Sequence, residues 1–265
     1  MDFFKKNKHK LIIIYSVIAI SIFLYVLTAL NLNEFLHSLI FFLLAFPVLL
    51  YLDSEAEISR KKRIANLTDY AAINCFDFYA EPKEDQIFIF KEFKSTEIIG
   101  NTNKFFNLLI PKNDNHNQPS IVTANSIHGS GDSMRYDSTQ IFLYKLDIEL
   151  PKFFIQRKNR IDTLVGENRD YVVAREHKLE VYKFKDKKFP HNKYFFFSED
   201  SNVENVINDE FIELLNIGIK RKKALINIES NGKNLILYKQ WSTHSIELMD
   251  FYSNLFWVLK ESLIK

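Results

Sequence analysis

The chain has 265 residues, a formal net charge of +2, 47% hydrophobic residues and one cysteine. Of its 35 basic and 33 acidic residues, four basic and two acidic residues lie in residues 1–52, which leaves 31 of each sign downstream. This balance argues against nucleic-acid binding, because phosphate neutralisation supplies most of the affinity of such proteins. The single Cys75 excludes an intramolecular disulfide and a zinc site built from several cysteines.

Two apolar runs near the N-terminus predict transmembrane helices. Residues 11–30 carry no charge and include thirteen Leu, Ile, Val or Phe residues. At about 1.5 Å per residue, a helix of this length spans roughly 30 Å of hydrocarbon. Residues 35–52 hold thirteen residues of the same four types. The first run is longer than the apolar part of a signal peptide and lacks a following cleavage pattern, so we expect it to remain in the mature chain.

The basic residues that flank these runs predict the orientation. Residues 1–10 form a basic N-terminus, and the connector at residues 31–34 has no basic residue. The positive-inside rule then predicts a multi-pass protein of the cell (inner) membrane with both termini in the cytoplasm. Each flanking cation gains on the order of 1 kcal/mol near anionic headgroups. The predicted membrane-surface contacts are therefore Lys5, Lys6, Lys8, Lys10, Arg60, Lys61, Lys62 and Arg63.

The remaining residues, 53–265, are predicted to form one cytoplasmic α+β domain. It begins with a helix over about 53–70, a stretch that is rich in helix formers and lacks Gly and Pro. Runs with strand character follow at residues 76–79, 86–93, 105–110, 121–123, 140–148 and 153–156. The clearest is 140–148, in which apolar residues at even positions alternate with a mixed set.

Stronger start and stop signals lie nearer the C-terminus. The capping-box pattern Ser201-Asn202-Val203-Glu204 predicts a helix that ends near Gly218. Asn231-Gly232, between strands at 224–230 and 233–239, predicts a hairpin with a type I′ turn. Ser245 predicts the cap of a last helix, whose apolar face is Ile246, Met249, Tyr252, Phe256, Leu259 and Leu263. This order predicts a mostly antiparallel sheet with helices on one side.

The second half of the chain resembles a group of uncharacterised bacterial membrane proteins that have two N-terminal transmembrane helices and a cytoplasmic domain of unknown function. The residues that carry the resemblance are Gly129-Ser130-Gly131 with Gln140, Leu150-Pro151-Lys152-Phe153, Phe189 with Tyr194, Asp200, and Ile228-Glu229 with Asn231-Gly232. The sequence after the glycines, Asp-Ser-Met-Arg-Tyr-Asp, differs from the basic and His residues of that group. The resemblance implies the architecture and assigns no site residues.

Few residues suggest a ligand. The glycine-rich stretch 126–133 could hold an anion with backbone N–H groups, but it leads into a strand, so a hairpin loop is the preferred interpretation. The Lys220–Lys223 cluster is interpreted as a solvated helix end, with a lipid or phosphate site as the alternative. Five single histidines, His116, His128, His177, His191 and His244, show no metal-binding spacing. Cys75 is expected to be an inert, partly buried thiol.

The sequence therefore predicts no catalytic, metal-binding or cofactor-binding residues. The hypothesis that it favours is a non-enzymatic interaction or sensing module, anchored in the lipid bilayer and able to contact a cytoplasmic protein. The alternative is a membrane-associated enzyme that acts on a lipid or nucleotide through catalytic residues dispersed along the chain. The oligomeric state stays open, since the helices offer small residues but no GxxxG motif.

Overall fold

The structure is a computed structural model that divides into two units, Met1–Ala65 and Asn66–Lys265. It describes residues 22, 25, 57–93, 104–113, 118–128, 135–158, 181–184, 189–198, 200, 202–220, 226–239 and 246–264. In the first unit, Ile22 and Tyr25 are helical and exposed. The predicted transmembrane runs otherwise lie outside the described residues. Within those residues, no helix is both long enough and apolar enough to span a bilayer.

The second unit is an α+β domain built on one eight-stranded antiparallel sheet. Its strands are β1 (Phe76–Tyr79), β2 (Lys104–Pro111), β3 (Ser120–His128), β4 (Arg135–Lys145), β5 (Phe153–Arg157), β6 (Tyr194–Ser198), β7 (Asn227–Ser230) and β8 (Asn234–Tyr238). Their order across the sheet is β1-β2-β3-β4-β8-β7-β5-β6. The mostly antiparallel sheet predicted from the sequence is confirmed, and every pairing between these strands is antiparallel.

Five helices are described. They are α1 (57–73), α2 (Glu84–Lys91), α3 (Val203–Val206), α4 (Asp209–Lys220) and α5 (Ile246–Ile264). Helix α1 agrees with the helix predicted over about 53–70 where its residues are described, and it extends one turn further. The predicted apolar face of α5 is confirmed, since five of its six residues are buried and Ile246 is partly buried.

The prediction that helices cover only one side of the sheet is wrong. Helices α1, α4 and α5 contribute to the largest apolar cluster, together with side chains such as Phe142 and Leu237. Helix α2 contributes Ile87 and Phe90 to a second cluster with Ile141. Because neighbouring residues of a strand point to opposite faces, the two clusters lie on opposite sides of the sheet. Both faces are covered.

The central strands show why both faces are buried. In β4, Ile141, Phe142, Leu143 and Tyr144 are all at most 2% exposed. In β8, the apolar run is Leu235, Ile236, Leu237 and Tyr238, and it is equally buried. A strand with one solvated face would alternate apolar and polar residues, whereas an uninterrupted apolar run fits a strand that is covered on both sides.

Helix α2 corrects a second prediction, because residues 86–93 were expected to form a strand. Ile87 and Phe90 are buried while Phe88 is 62% exposed, which is a helical rather than an alternating pattern. The N–H of Lys83 donates to Oε1 of Gln86 (2.8 Å) and fixes the first turn. The apolar sequence is compatible with both periods, and this local cap favours the helix.

The helix predicted from Ser201 to Gly218 is instead two helices, α3 and α4. The helical conformation is interrupted at Asn208, whose Oδ1 accepts from the N–H of Phe211 (2.9 Å) and caps α4. The Nδ2 of Asn208 also donates to the carbonyl of Ser262 (2.6 Å), which ties this break to α5. Helix α4 continues past Gly218 to Lys220, so the predicted stop is wrong.

The hairpin predicted at Asn231-Gly232 is confirmed, but its turn type is not. Gly232 has a φ of +112°, whereas Asn231 does not have a positive φ. The N–H of Asn231 donates to the carbonyl of Asn234 (3.1 Å), so the two central residues of the turn are Gly232 and Lys233. Of these only the first, Gly232, has a positive φ, which is the pattern of a type II′ turn, whereas type I′ needs a positive φ at both. The Oδ1 of Asn231 accepts from the N–H of Asn234 (3.0 Å), and this side-chain bond holds the turn.

Removing the ring of Phe142 should test the role of the largest apolar cluster. This ring is fully buried and stands edge-on to Phe256 at 4.9 Å between centroids. Phe142→Ala should lower the free energy of unfolding by about 3–5 kcal/mol, because it leaves a cavity in the core. Urea unfolding of the full-length chain in a mild detergent, followed by tryptophan fluorescence, measures the change.

The matched control for this substitution is Phe88→Ala, since Phe88 is 62% exposed. It should change the free energy of unfolding by less than about 0.5 kcal/mol. Equal losses in the two variants would contradict the core described here.

Candidate functional site

The last turns of α1 belong to the core of the second unit. Leu67, Tyr70 and Ala71 are buried at the i, i+3, i+4 spacing of one helical face. The hydroxyl of Tyr70 donates to Oδ1 of Asp250 on α5 at 2.7 Å. Asn74 donates twice, from its N–H and its Nδ2, to the carbonyl of Tyr70 (3.0 Å each). These bonds complete the end of α1 and attach it to α5.

A second tyrosine reaches α5 from the sheet. Tyr144 of β4 is fully buried, and its hydroxyl donates to the carbonyl of Ser253 at 2.9 Å. Tyr252 is also on the buried side of α5, and its ring centroid lies 5.4 Å from that of Phe256. We call Tyr70, Tyr144, Tyr252, Asp250 and Ser253 the tyrosine junction. It joins α1, β4 and α5.

Burial keeps the phenols of the tyrosine junction protonated. Burial raises the pKa of Tyr70, and the hydrogen bond to Asp250 and its charge raise it further. Burial also raises the pKa of Tyr144, with a smaller contribution from Tyr70. The pKa of Tyr252 is raised by burial. Neutral phenols are stable hydrogen-bond donors, so the junction positions helices and offers no activated nucleophile.

The outer face of α5 exposes apolar side chains beside the junction. Phe251, Trp257 and Val258 are 44%, 40% and 38% exposed. Phe251 and Val258 are seven residues apart and therefore lie on the same side of the helix. Asp250 and Glu261 add carboxylates to this exposed surface, and Glu261 pairs with the Nζ of Lys260 (3.0 Å). We call Phe251, Trp257 and Val258 the α5 outer face.

Of the predicted membrane-surface contacts, Lys5, Lys6, Lys8 and Lys10 lie outside the described residues. Arg60, Lys61 and Lys62 are exposed on α1, and Arg63 is partly exposed. Lys61 pairs with Glu57 one turn earlier at 2.7 Å. This hydrogen bond lowers the pKa of Glu57. The described cations are thus on the surface of α1, as a membrane contact would require, and their contact with lipid stays a prediction.

The glycine-rich stretch 126–133 was predicted to be a hairpin loop, but Ser126, Ile127 and His128 belong to β3. His128 of β3 pairs with Arg135 of β4, so residues 129–134 connect two antiparallel strands. Gly129, Ser130 and Gly131 themselves lie outside the described residues. Of the Lys220–Lys223 cluster, Lys220 ends α4 and the other three residues lie outside the described part. Their role as a solvated helix end stays a prediction.

Of the five histidines and the cysteine singled out in the sequence, His128, His191 and Cys75 lie within the described residues. His128 lies in β3 and His191 in the turn before β6, whereas His116, His177 and His244 lie outside the described residues. Cys75 is exposed, so its predicted partial burial is wrong. It follows α1 with a φ of +59°, and this turn of the chain carries its side chain to the surface. Among the residues that the structure describes, no three His, Cys, Asp or Glu side chains are grouped to hold a metal ion.

The residues that carry the resemblance to bacterial membrane proteins are largely structural here. Gln140, Leu150, Phe153, Phe189 and Tyr194 are buried. No protein-family model, curated protein or solved structure matches this chain. The resemblance therefore stays a prediction.

The tyrosine junction was not predicted from the sequence. Tyr144 stands out as part of an apolar strand, but nothing in its neighbourhood indicates that its hydroxyl reaches α5. Asp250 lies on an amphipathic helix, where an exposed carboxylate needs no special partner. Only the packing of α1 on α5 brings Tyr70 and Asp250 together.

Tyr70→Phe should weaken the attachment of α1 to α5. It removes a 2.7 Å hydrogen bond to a carboxylate in a partly buried position. We expect a loss of about 1 kcal/mol in the free energy of unfolding, at the low end for bonds to charged groups because water reaches Asp250. Urea unfolding of the full-length chain measures it. Tyr79→Phe is the matched control, since Tyr79 is 36% exposed; a loss as large in the control would contradict this role.

Proposed function

We propose that this chain is a membrane-anchored interaction module of the cytoplasm that is not an enzyme. A transmembrane hairpin of residues 11–30 and 35–52 anchors it in the inner membrane with both termini in the cytoplasm. The observation that carries the proposal is the charge pattern: basic residues precede the first apolar run and follow the second, and the connector has none. The uncharacterised bacterial membrane proteins that the chain resembles also have two N-terminal transmembrane helices and a cytoplasmic domain.

The position of α1 in the sequence supports an anchored domain. Leu67 is the first buried residue of α1, and it follows the second apolar run, which ends at Leu52, by fifteen residues. The tyrosine junction then holds the end of α1 against β4 and α5. An attachment of α1 that follows the proposed anchor so closely in sequence suits a module that presents a surface at the membrane, or senses a pull on α1.

The α5 outer face supports a protein as the partner. Exposed aromatic and aliphatic side chains on one helix are typical of protein contacts. The neighbouring carboxylates of Asp250 and Glu261 disfavour an anionic bilayer as the occupant of this surface. They favour a cytoplasmic protein that combines apolar and basic side chains.

The exposed Cys75 allows a direct test of the topology. Because it is the only cysteine, a membrane-impermeant thiol reagent reports the side of the membrane on which this domain lies. We expect no labelling in intact spheroplasts and full labelling after lysis. In the control Cys75→Ser with Asn33→Cys, the connector should be labelled in intact spheroplasts. Labelling of Cys75 from outside, or release of the chain by alkaline carbonate, would contradict the proposed anchor.

Site-specific cross-linking tests the partner surface. A photoreactive benzoylphenylalanine in place of Trp257 should give one reproducible cross-linked protein in cells, because the α5 outer face is the proposed contact. The same probe in place of Phe88, an aromatic side chain on the opposite side of the sheet with 62% exposure, is the control and should give none. Val258→Glu should abolish the product formed at position 257. Equal products at both positions, or none at 257, would argue against this contact.

A further inference from the structure

An exposed turn with a strained residue joins the end of α1 to β1. Ile73 is 80% exposed, and Cys75, two residues later, is exposed with a φ of +59°. A side chain in this left-handed region comes too close to its own backbone, so the residue that ends a helix in this conformation is usually Gly and sometimes Asn. A cysteine keeps this conformation only when the surrounding contacts impose it.

Two backbone hydrogen bonds impose this conformation by fixing the ends of the β1–β2 pairing. The N–H of Lys112 donates to the carbonyl of Cys75 itself (2.9 Å), and the N–H of Asn107 donates to the carbonyl of Ala80 (3.0 Å). Between these bonds lie the four residue pairs that β1 forms with β2. The strain at Cys75 is therefore relieved when β1 separates from β2.

Residues 66–79, which we call the α1–β1 segment, are also connected to each other. Asn74, in the turn, donates from its N–H and its Nδ2 to the carbonyl of Tyr70. The rings of Tyr70 and Phe76 stack across the turn, with their centroids 6.1 Å apart. The end of the helix and the strand are thus held together by their own contacts, which do not depend on the rest of the sheet.

The attachment of the α1–β1 segment to the rest of the domain is small. Strand β1 is the outermost strand in the sheet order, and in the described part of the chain it pairs only with β2. It forms four residue pairs, whereas β3 and β4 form nine. The other attachments are the hydrogen bond from Tyr70 to Asp250 and the burial of Leu67, Tyr70, Ala71 and Phe76. Segments with few such contacts open at a lower free energy than central strands.

We propose that the α1–β1 segment is a conformational switch, which detaches from the domain as a unit while the other strands of the sheet stay paired. The strain at Cys75 favours the detached state, and the contacts of Tyr70 and Phe76 oppose it. Detachment uncovers the backbone groups of β2 that pair with β1, together with apolar side chains of the largest cluster. A force on α1 reaches this segment directly, because its first residues are the last turns of that helix.

Detachment is a property of the folded domain and does not need the membrane anchor. Only its use as a sensor of force rests on the proposed function. The test needs the full-length chain in a mild detergent and no applied force, so its outcome does not depend on the topology test. Failure of the switch and failure of the proposed anchor can therefore be told apart.

The reactivity of a buried thiol measures detachment. In a Cys75→Ser background, Ala71→Cys places the only thiol of the chain beneath the α1–β1 segment. The matched control, Ala124→Cys, places it on β3, which is paired on both sides. Both alanines are at most 5% exposed. Towards a chromogenic disulfide reagent, the thiol of the Ala71→Cys variant should react at least about tenfold faster, because only the control requires global unfolding.

The urea dependence of the two reactions provides a further criterion. The rate for the Ala71→Cys variant should rise less steeply with urea, since detachment exposes less surface than global unfolding. Equal rates with equal urea dependence would show that the segment opens only when the whole domain unfolds, and this result would overturn the proposal.

Hydrogen exchange of the unsubstituted chain gives the same comparison without a mutation. The N–H of Lys112 follows β2 and is bonded to the carbonyl that precedes β1. The N–H of Leu146 follows β4 and donates to the carbonyl of Lys233, which precedes β8 (2.9 Å), so it is a matched control. The Lys112 amide should exchange at least about tenfold faster, after correction for intrinsic rates. Equal protection of the two amides would contradict detachment.

Cys75→Gly tests the strained turn. Glycine adopts a positive φ without a steric cost, whereas serine keeps a side chain in the strained position. Combined with Ala71→Cys, Cys75→Gly should therefore slow the reaction of the buried thiol about threefold relative to Cys75→Ser. An equal or faster reaction of the glycine variant would show that strain at this residue does not favour the detached state.

Discussion

The pairing of β4 with β8 is the interaction on which the domain depends. In the order of the sheet it joins the meander β1 to β4 to the second half, β8-β7-β5-β6. Five residue pairs from Ile141 with Tyr238 to Lys145 with Asn234 make this junction between segments far apart in sequence. Side chains of both strands enter apolar clusters on both faces, so burial rather than a local turn specifies the register. The helices of both faces then pack against one central pair.

The same central strand also holds α1. Tyr144 belongs to the β4–β8 pair, and its hydroxyl donates to the carbonyl of Ser253 on α5. Ser253 is three residues after Asp250, which accepts from Tyr70. A shift of the end of α1 would disturb buried phenols that burial keeps neutral, and through them the central strand. Contiguous packed contacts of this kind can carry a change in α1 to the sheet, and this is the physical basis of the sensing role that we propose.

Local patterns predicted much of the fold. The bounds of β1 agree with the sequence, as do the presence of the β7–β8 hairpin and the buried face of α5, because each depends on a short period or a turn residue. Residues 86–93 were predicted to be a strand because the spacing of Ile and Phe there fits both a strand and a helix. The hydrogen bond from the N–H of Lys83 to the Gln86 side chain favours the helix. The coverage of both sheet faces by helices was not predicted, although the uninterrupted apolar runs at 141–144 and 235–238 indicate it. The transmembrane hairpin stays a prediction.

Sites were harder to predict because contiguous charges are visible in a sequence, whereas charges that converge from distant segments are not. Arg60–Arg63 and Lys220–Lys223 are unbroken clusters in the sequence, yet the successive side chains of Arg60–Arg63 on α1 point in different directions. The β5–β6 register instead places Lys158 opposite Lys193, two lysines that are far apart in sequence. An excess of lysine over residues 183–193 is visible in the sequence, but only pairing with β5 supplies the opposing Lys158. Convergence of charge depends on strand register, which burial of both sheet faces determines.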